Sequence, residues 1–392
     1  MTTEHLLSKV VLFEKEKNGT VYRIPSLLYL DRDGIFLAFA EKRSSPRDLD
    51  AKTLVMRRGT FQGGSVKWQV TVELETARLT DFRSMNPCPV YERQQAAVYL
   101  FFNCVKEGVS ESWQLWHGKN AARLCYVRSL DAGLTWSPLV DLTEEVIGEQ
   151  ISRWGTFSVS PGHGVQTACG MLVVPAYAYI ISCRSCLLPP WFFTWPHPFY
   201  FFSKDGGVSW KMGQSLTEYR AGECELAEVT IANTKRLLYC NARTDGCARV
   251  EAISQDLGYF KIAHLTKELP ECNGGCQGSV ASFHRPAATQ ALSHAGDRVS
   301  WLLYTHPSGE WRMGRCKHNR TNLGVYLNPW PLQRCQWRGP WVIQAGPCGY
   351  SDLVYLESAA TFACLYECGE HVFYQQIVFC LFTVKQVMKN IF

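Results

Sequence analysis

A tyrosine and several glutamates in this sequence are of the types that could cleave a bond by nucleophilic attack. Tyr350 follows Gly349 in a segment of small residues, which lets the backbone turn closely past its neighbours. A phenol has a pKa near ~10, so it needs a base within hydrogen-bond reach to act as a nucleophile. Glu223, Glu225 and Glu228 are candidate bases, and strand alternation would put Glu223 and Glu225 on one face. Spacing alone does not choose between those two.

Three arginines and an aspartate in distant segments could complete such a site. The planar guanidinium of arginine holds a carboxylate through two parallel hydrogen bonds, so clustered arginines suit an anionic substrate. Arg23 lies in a Tyr-Arg-Ile-Pro motif, Arg243 in Asn-Ala-Arg, and Arg320 just before Thr-Asn-Leu-Gly. Taken one at a time, an arginine in such a position is more commonly a solvated surface residue. An aspartate after Pro-Arg, such as Asp48, is usually a loop cap.

Two copies of the pattern Ser-x-Asp-x-Gly-x-x-Trp indicate a repeated sheet unit that could position these residues. The copies span 129–136 and 203–210. Asp and Gly form a tight turn, and Trp packs onto the strand behind it. A looser copy at 254–260 lacks the Trp, so it is weaker evidence for the same turn.

The composition is that of a globular protein with a mild positive charge. Of 392 residues, 46% are hydrophobic and 19% are charged, which excludes a disordered chain. The net charge is +5 without a long run of Lys and Arg, so nucleic-acid binding is not expected. The charge does suit an anionic substrate or an anionic membrane face.

The expected absence of targeting signals, together with the cysteine content, predicts a protein that faces the cytosol. Residues 1–10 are charged and precede no apolar stretch, so we expect no signal peptide. We also expect no transmembrane helix, because every long apolar stretch is interrupted by charge or Pro. The 17 cysteines, an odd number, are predicted to be reduced thiols. The Cys-x-x-Cys at 183–186 has no second pair at zinc spacing, so neither a metal nor a cofactor is expected.

Period-two strands separated by Gly, Pro, Asn and Asp predict an all-β chain. Helices are expected only at 142–148 and 382–392. No linker divides the sequence, so we predict one domain over 1–392, and at about 60 residues per four-stranded blade the length fits a six-bladed β-propeller. A pair of β-sandwiches is the alternative, against which the repeated turns argue. The clearest strands are at 24–29, 36–40, 97–102, 171–178, 199–202, 237–241 and 301–304.

The Tyr-Arg-Ile-Pro motif and the repeated turns, known as Asp boxes, together resemble the sialidase family over about 22–383. Within it the chain is similar to animal members facing the cytosol, and most of all to the membrane-associated ganglioside sialidases, on segments 120–125, 141–148 and 364–369. The resemblance implies a six-bladed propeller of four-stranded antiparallel sheets that hydrolyses terminal α-linked sialic acids with retention. Gangliosides are the implied substrates, with glycoproteins and oligosaccharides as further candidates. A non-catalytic sialoglycan-binding propeller is the alternative, but it would not need a tyrosine, its base and an acid together.

The resemblance also assigns roles to residues of this sequence. Tyr350 becomes the nucleophile, Glu223 its base and Asp48 the general acid and base. The carboxylate of the sugar is assigned to Arg23, Arg243 and Arg320, with Arg315 as the alternative to the last. The remaining implied site residues are Arg43, which helps hold the substrate, Glu41 and Glu367, which support the arginines, and Met85, Glu111, Tyr177 and Tyr179, which line the sugar pocket.

One uncharged aromatic segment has no place in this chemistry. Residues 185–203 carry no charge and include Trp191, Phe192, Phe193 and Trp195 among prolines. It is either a loop buried on its own blade or a contact for lipid headgroups or a partner. With the resemblance, it predicts peripheral attachment to the plasma membrane or to endosomal and lysosomal membranes, with a cytoplasmic pool. The sequence indicates no oligomeric state.

Overall fold

The computed structural model describes residues 7–184, 188–231, 235–254, 260–284, 300–309 and 319–392. Antiparallel strands dominate it, as the alternating pattern predicts. In chain order the strands are β1 (Lys9–Glu14), β2 (Val21–Leu30), β3 (Ile35–Arg43), β4 (Ala51–Gln62), β5 (Ser65–Trp68), β6 (Val72–Glu73), β7 (Phe82–Glu92), β8 (Ala97–Lys106), β9 (Ala122–Ser129), β10 (Val140–Asp141), β11 (Trp154–Val159), β12 (Val165–Gln166), β13 (Leu172–Ile181), β14 (Thr194–Ser203), β15 (Lys211–Met212), β16 (Cys224–Ile231), β17 (Lys235–Ala242), β18 (Ala248–Ser254), β19 (Phe260–Pro270), β20 (Ser279–His284), β21 (Ser300–Pro307), β22 (Thr321–Asn328), β23 (Arg338–Leu356), β24 (Thr361–Cys368) and β25 (Gln376–Thr383).

The described strands form five antiparallel sheets that contain six units, each built on four strands, and two of the units have a further short strand, β6 or β12. Four units are separate sheets, built from β2–β6, β7–β10, β11–β15 and β16–β19. The last two share one seven-stranded sheet, because the long strand β23 pairs first with β22 and then with β24. β1 completes the final unit by pairing with β25. The predicted all-β architecture of four-stranded antiparallel units is confirmed, with two neighbouring units joined by one continuous strand.

The innermost strands of these units pack in a closed ring, which is the arrangement of a β-propeller. β2 contacts β7, and the ring continues through β12, β16, β20 and β23 back to β2. Six hydrophobic clusters fill the spaces between neighbouring units. Both faces of a sheet are therefore covered, and a strand such as β8 is buried along almost its whole length.

The two complete Asp boxes have the same hydrogen bonds. In the first, Ser129 Oγ donates to Asp131 Oδ1 at 2.8 Å, and the Gly133 amide donates to Ser129 Oγ at 2.9 Å. In the second, the matching distances are 2.7 Å and 2.8 Å. Trp210 then enters the core between the second and third units, with its ring centroid 4.6 Å from that of Phe101. The turns join the outer strands of their units, β9 to β10 and β14 to β15, and the looser copy at 254–260 lies largely outside the described residues.

Helices are few, and their positions differ from the prediction. The segment at 142–148 forms a π turn that continues as 3-10 helix, and the C-terminal helix begins only after Thr383, because Thr383 caps it. A short helix at the mouth of the second unit was not predicted. Its first turn is capped by Ser110, whose Oγ accepts from the Trp113 amide at 3.0 Å. The helices are α1 (Glu111–His117) and α2 (Val384–Ile391), with 3-10 turns at Asp48–Asp50, Gly148–Arg153, Pro190–Phe193 and Glu357–Ala359 and a π turn at Thr143–Ile147.

Among the described residues, no helix has both the length and the apolar character needed to cross a bilayer. Thirteen cysteines in the same ranges are free thiols, most of them buried between sheets. The prediction of reduced thiols is wrong for Cys183 and Cys247, which are disulfide-bonded.

Candidate active site

A cavity of about 310 Å³ is lined by residues from all six units. Its walls come from strand ends and from the loops that follow them, where the six units converge. It brings together eleven of the predicted site residues, the first and last of which, Arg23 and Tyr350, are far apart in the sequence. These are Arg23, Arg43, Asp48, Met85, Glu111, Tyr177, Tyr179, Glu223, Arg243, Arg320 and Tyr350.

The centre of the cavity is a tyrosine paired with a glutamate. Tyr350, on β23, is 7% exposed, and its Oη donates to Glu223 Oε1 at 2.5 Å. Arg243 Nη1 donates both to Glu223 Oε2 at 2.7 Å and to Tyr350 Oη at 3.0 Å. Burial and the Glu223 charge hold the pKa of Tyr350 well above its ordinary value, against the opposing charges of Arg243 and Arg320. The phenol is therefore neutral at rest and already in contact with a base.

Of the three candidate glutamates, Glu223 is the one that contacts Tyr350. Glu223 lies just before β16 and faces Tyr350, whereas Glu225 accepts from the Val280 amide at 2.7 Å, away from the tyrosine. Glu228 lies further along β16 and accepts from the Ala168 amide at 3.0 Å. The alternation argument failed because Glu223 precedes the strand and does not share its pleat.

Three arginines surround the tyrosine ring. The guanidinium carbons of Arg23 and Arg320 lie 5.7 Å and 5.5 Å from the Tyr350 ring centroid, and Arg243 contacts the hydroxyl. Phe373, which sequence reasoning missed, lies 5.0 Å from Arg23 and 5.6 Å from Arg320 on the outer side. The assignment of Arg320 stands on this geometry, and the alternative, Arg315, lies outside the described residues.

Glu367 links Arg23 of the arginine cluster to Tyr350. Its Oε1 accepts from Arg23 Nε at 2.6 Å and from the Ile24 amide at 2.9 Å, and its Oε2 accepts from the Tyr350 amide at 3.1 Å. Ile24 has φ 59°, in the left-handed region that β-branched residues avoid, and the β2–β3 register shifts at this point. This strained residue sits between Arg23 and the Pro25 of the motif, so the motif encodes a bulge that turns Arg23 inward.

The opposite side of the cavity holds an exposed acid on a buried support. Asp48 begins a 3-10 turn, its side chain is 74% exposed, and its Oδ1 accepts from Arg43 Nη1 at 2.6 Å. Arg43 is buried and donates through Nε to Glu41 Oε2 at 2.7 Å. Glu41 Oε1 in turn accepts from the Asn86 amide at 2.6 Å. The carboxyl group of Asp48 is thus held in place while remaining open to a departing group.

The remaining wall is formed by Met85, Glu111, Tyr177 and Tyr179. The side chain of Glu111, on α1, is exposed to solvent, but desolvation by the surrounding wall raises its pKa to about 7, and the charges of Asp48 and Glu223 add to the effect. Burial also raises the pKa of both tyrosines, so their hydroxyls stay neutral. The wall therefore offers two neutral phenols and a carboxyl group beside one thioether, which suits a hydroxylated sugar.

Several lining residues were missed by sequence reasoning. Arg83 donates to the carbonyls of Lys106 and Val109, both at 2.8 Å, and thereby fixes the loop that leads to α1. Arg220 lines the cavity three positions before Glu223. No motif marked either arginine, because their positions follow from how neighbouring units pack.

Beside the cavity lies a buried ion-pair cluster of His163, Glu225 and Asp352. His163 Nδ1 is 2.7 Å from Asp352 Oδ1 and 3.1 Å from Glu225 Oε1. Burial alone would lower the pKa of His163, but the two carboxylates raise it well above its ordinary value. Their other oxygens accept backbone amides from Leu27 and Val280. The three ligand atoms lie within metal-binding distance of one another, yet these protein donors already satisfy the carboxylates. The cluster links inner strands of different units.

Comparison with known proteins agrees with this geometry. The family model described as "BNR repeat-like domain" matches residues 34–362. The chain is 43% identical to Sialidase-3 of Rattus norvegicus over 97% of this chain and 96% of that one. It is 42% identical to Sialidase-2 of Mus musculus over 100% of this chain and 99% of that one.

Solved structures share the fold at much lower identity. The intramolecular trans-sialidase from Ruminococcus gnavus matches with a TM-score of 0.69 and 14% identity, over 96% of this chain and 97% of that one. The Hadza microbial sialidase Hz136 matches with a TM-score of 0.75 and 20% identity, over 96% of this chain and 69% of that one. From its identity to the curated relatives over nearly its whole length, the chain belongs to the sialidase family.

Proposed function

We propose that this protein is a retaining exo-α-sialidase that removes terminal α-linked sialic acids from glycoconjugates. The observation that carries the proposal is the neutral Tyr350, 2.5 Å from Glu223 and surrounded by three arginines. A binding-only propeller would need the arginines alone. This chain also has the nucleophile, its base and an exposed acid in one cavity.

The arginines explain how the substrate is held and why the nucleophile is a tyrosine. Sialic acid carries a carboxylate on its anomeric carbon, and Arg23, Arg243 and Arg320 offer guanidinium groups for it. A carboxylate nucleophile would repel that group, whereas a buried neutral phenol does not. Most retaining glycosidases use a carboxylate as the nucleophile, and sialidases, which use a tyrosine, are a recognised exception.

The reaction then needs two proton transfers. Glu223 accepts the Tyr350 proton as Oη forms a bond to the anomeric carbon, and Asp48 donates a proton to the departing glycosidic oxygen. In the second half, Asp48 takes a proton from water, which attacks the same carbon and breaks the bond to Oη. Glu223 returns its proton to the tyrosine. Two displacements at one carbon retain the α configuration.

Gangliosides are the proposed preferred substrates, because the aromatic surface beside the cavity suits a lipid-bound aglycone. Trp191 and Phe192 are 47% and 49% exposed, and their 3-10 turn packs against α1. On α1, Trp113 and Trp116 are 42% and 51% exposed, while Glu111 and Gln114 of the same helix line the cavity. The four exposed aromatic rings therefore lie next to the pocket opening.

We propose that this aromatic surface rests in the headgroup region of a membrane, where tryptophan is favoured. The +5 net charge would add attraction to an anionic leaflet. The location proposed is peripheral, on the plasma membrane or on endosomal and lysosomal membranes, with a cytoplasmic pool. Of the four aromatic residues considered in the sequence, Trp195 has a different position, since it stacks under Arg220 at the cavity.

Membrane contact is tested by co-sedimentation with vesicles that contain phosphatidylserine and ganglioside. We expect the double variant Trp191→Ser/Phe192→Ser to stay in the supernatant and to keep its turnover of a soluble sialoside. Trp330→Ser is the control, because Trp330 is 43% exposed elsewhere. Undiminished sedimentation of a folded double variant would place the contact on another surface.

The catalytic proposal is tested by following hydrolysis of an aryl sialoside with proton NMR. We expect α-sialic acid to appear first and to mutarotate slowly to the β form. Initial release of the β anomer would contradict the double displacement, and absence of any turnover would contradict the enzymatic function. Comparing ganglioside with sialyllactose then ranks the substrates.

A further inference from the structure

One arginine that the mechanism above does not use lies on the tyrosine side of the cavity. Arg220 lines the cavity, and its guanidinium carbon is 3.3 Å from the centroid of a Trp195 ring. Its side chain is exposed to solvent, and no residue in the described ranges forms an ion pair with it. A cation held against an indole at the wall of a substrate pocket has its hydrogen-bond donors free for a ligand.

The backbone fixes Arg220 before any ligand binds. The segment that carries it is held against β14 on one side and against the strand end of Arg243 on the other. These contacts join Leu216 N to Pro198 O at 2.8 Å, Ala221 N to Pro196 O at 3.0 Å and Gly222 N to Arg243 O at 2.8 Å. Binding through Arg220 therefore requires ordering of the side chain alone, and the indole already restricts that side chain.

Arg220 belongs to the same wall as the two tyrosines. Tyr179 faces Pro196 across β13 and β14, and Ile180 faces Trp195 in the next position. A Cβ atom on Gly222 would lie 3.8 Å from Tyr177 Cδ2. The guanidinium thus extends the tyrosine wall toward the opening of the cavity.

We propose that Arg220 determines specificity by binding the distal oxygen atoms of the glycerol side chain of sialic acid. This inference rests on the proposed sialidase function. With the carboxylate on the arginine cluster and the anomeric carbon at Tyr350, the sugar presents an N-acyl group and a three-carbon polyol to the other walls. The thioether of Met85 suits the acyl methyl group. The tyrosine hydroxyls and the unpaired guanidinium suit the polyol, whose last two hydroxyls can reach beyond the tyrosines.

The test compares two substrates in two variants. One substrate is an intact fluorogenic sialoside, and the other is its seven-carbon analogue, whose last two side-chain carbons are removed by mild periodate oxidation and borohydride reduction. Arg220→Gln is expected to raise KM about tenfold for the intact sialoside, which is the low end for a charged hydrogen bond at an exposed site, with kcat little changed. For the seven-carbon analogue, Arg220→Gln and the unaltered protein should have the same KM.

The control is Arg338→Gln, because Arg338 also stacks on a tryptophan, 5.2 Å from the Trp330 ring, but outside the cavity. It should change neither KM. Trp195→Leu removes the indole ring on which Arg220 stacks, and it should raise KM for the intact sialoside more than for the analogue. An equal rise of KM for both substrates in Arg220→Gln, or no rise for either, would overturn the proposal. Turnover by the unaltered protein establishes the sialidase function separately.

Discussion

Replacing Tyr350 with Phe removes a single oxygen atom from the centre of the cavity. That oxygen donates to Glu223 at 2.5 Å and accepts from Arg243 at 3.0 Å. Glu223 keeps its contact with Arg243 through Oε2, so no buried carboxylate is left without a partner. Each lost hydrogen bond contributes about 1 kcal/mol, and the ring itself is retained. We therefore expect the free energy of unfolding to fall by about 1–2 kcal/mol.

The effect on catalysis should be far larger than the effect on stability. Without Oη no covalent intermediate can form, and kcat for a fluorogenic sialoside should fall by at least about 10³-fold. Affinity for a sialic-acid transition-state analogue should change little, because Arg23, Arg243 and Arg320 remain. Thermal unfolding and analogue binding, measured on the same preparation, separate a lost nucleophile from a lost fold.

The matched control is Tyr99→Phe, which removes a hydroxyl that donates to the Gly206 carbonyl at 3.0 Å in the core between two units. It should lower stability by a similar amount and leave turnover intact. A second measurement is mass spectrometry after reaction with a 2,3-difluoro sialic acid, which should label a peptide containing Tyr350 in the unaltered protein only. A folded Tyr350→Phe protein with near-normal turnover would refute the assignment of the nucleophile.

Three other predictions follow from the site and its supports. Asp48→Asn should reduce hydrolysis of natural sialosides about 10²-fold or more while sparing aryl sialosides, because a good leaving group needs less protonation; equal losses would argue against an acid role. Arg320→Lys keeps the charge but loses the planar guanidinium that can donate two parallel hydrogen bonds to a carboxylate. Binding of a transition-state analogue should therefore weaken about tenfold in calorimetry, and unchanged binding would remove Arg320 from the carboxylate site. The free energy of unfolding should fall as pH rises from about 6.5 in chemical denaturation, because the folded state raises the pKa of His163 and its stabilisation is lost as that group deprotonates. His163→Leu should lower stability by about 3 kcal/mol or more and flatten this dependence, whereas an unchanged slope would show that His163 is not the titrating group.

The sequence predicted which residues meet at the centre of the cavity better than it predicted their surroundings. Short patterns around Arg23 and Tyr350 are local, since a bulge or a turn of small residues is encoded by neighbours in the chain. The Asp boxes are local in the same sense, and the structure has the same serine, aspartate and glycine contacts in both. Such features can be inferred from a few adjacent residues.

What the sequence did not predict depends on contacts between units. Whether Glu223 or Glu225 meets Tyr350 is decided by the exact start of β16, which alternation cannot locate. Arg220 becomes part of the cavity only because its loop packs on β14. The sequence also did not predict that one continuous strand, β23, belongs to two units, because Gly346 and Pro347 in its middle indicate a break.

The pairing of β1 with β25 has a consequence for how the enzyme is made. The unit they complete also contains β24 and the second half of β23, and it carries both Tyr350 and Glu367. β1 precedes all the other strands of its unit in the sequence, so the unit is completed only when β1 meets β25. The nucleophile and the carboxylate that joins it to Arg23 are therefore fixed in place only when the ring has closed, so a truncated or stalled chain lacks the completed catalytic centre.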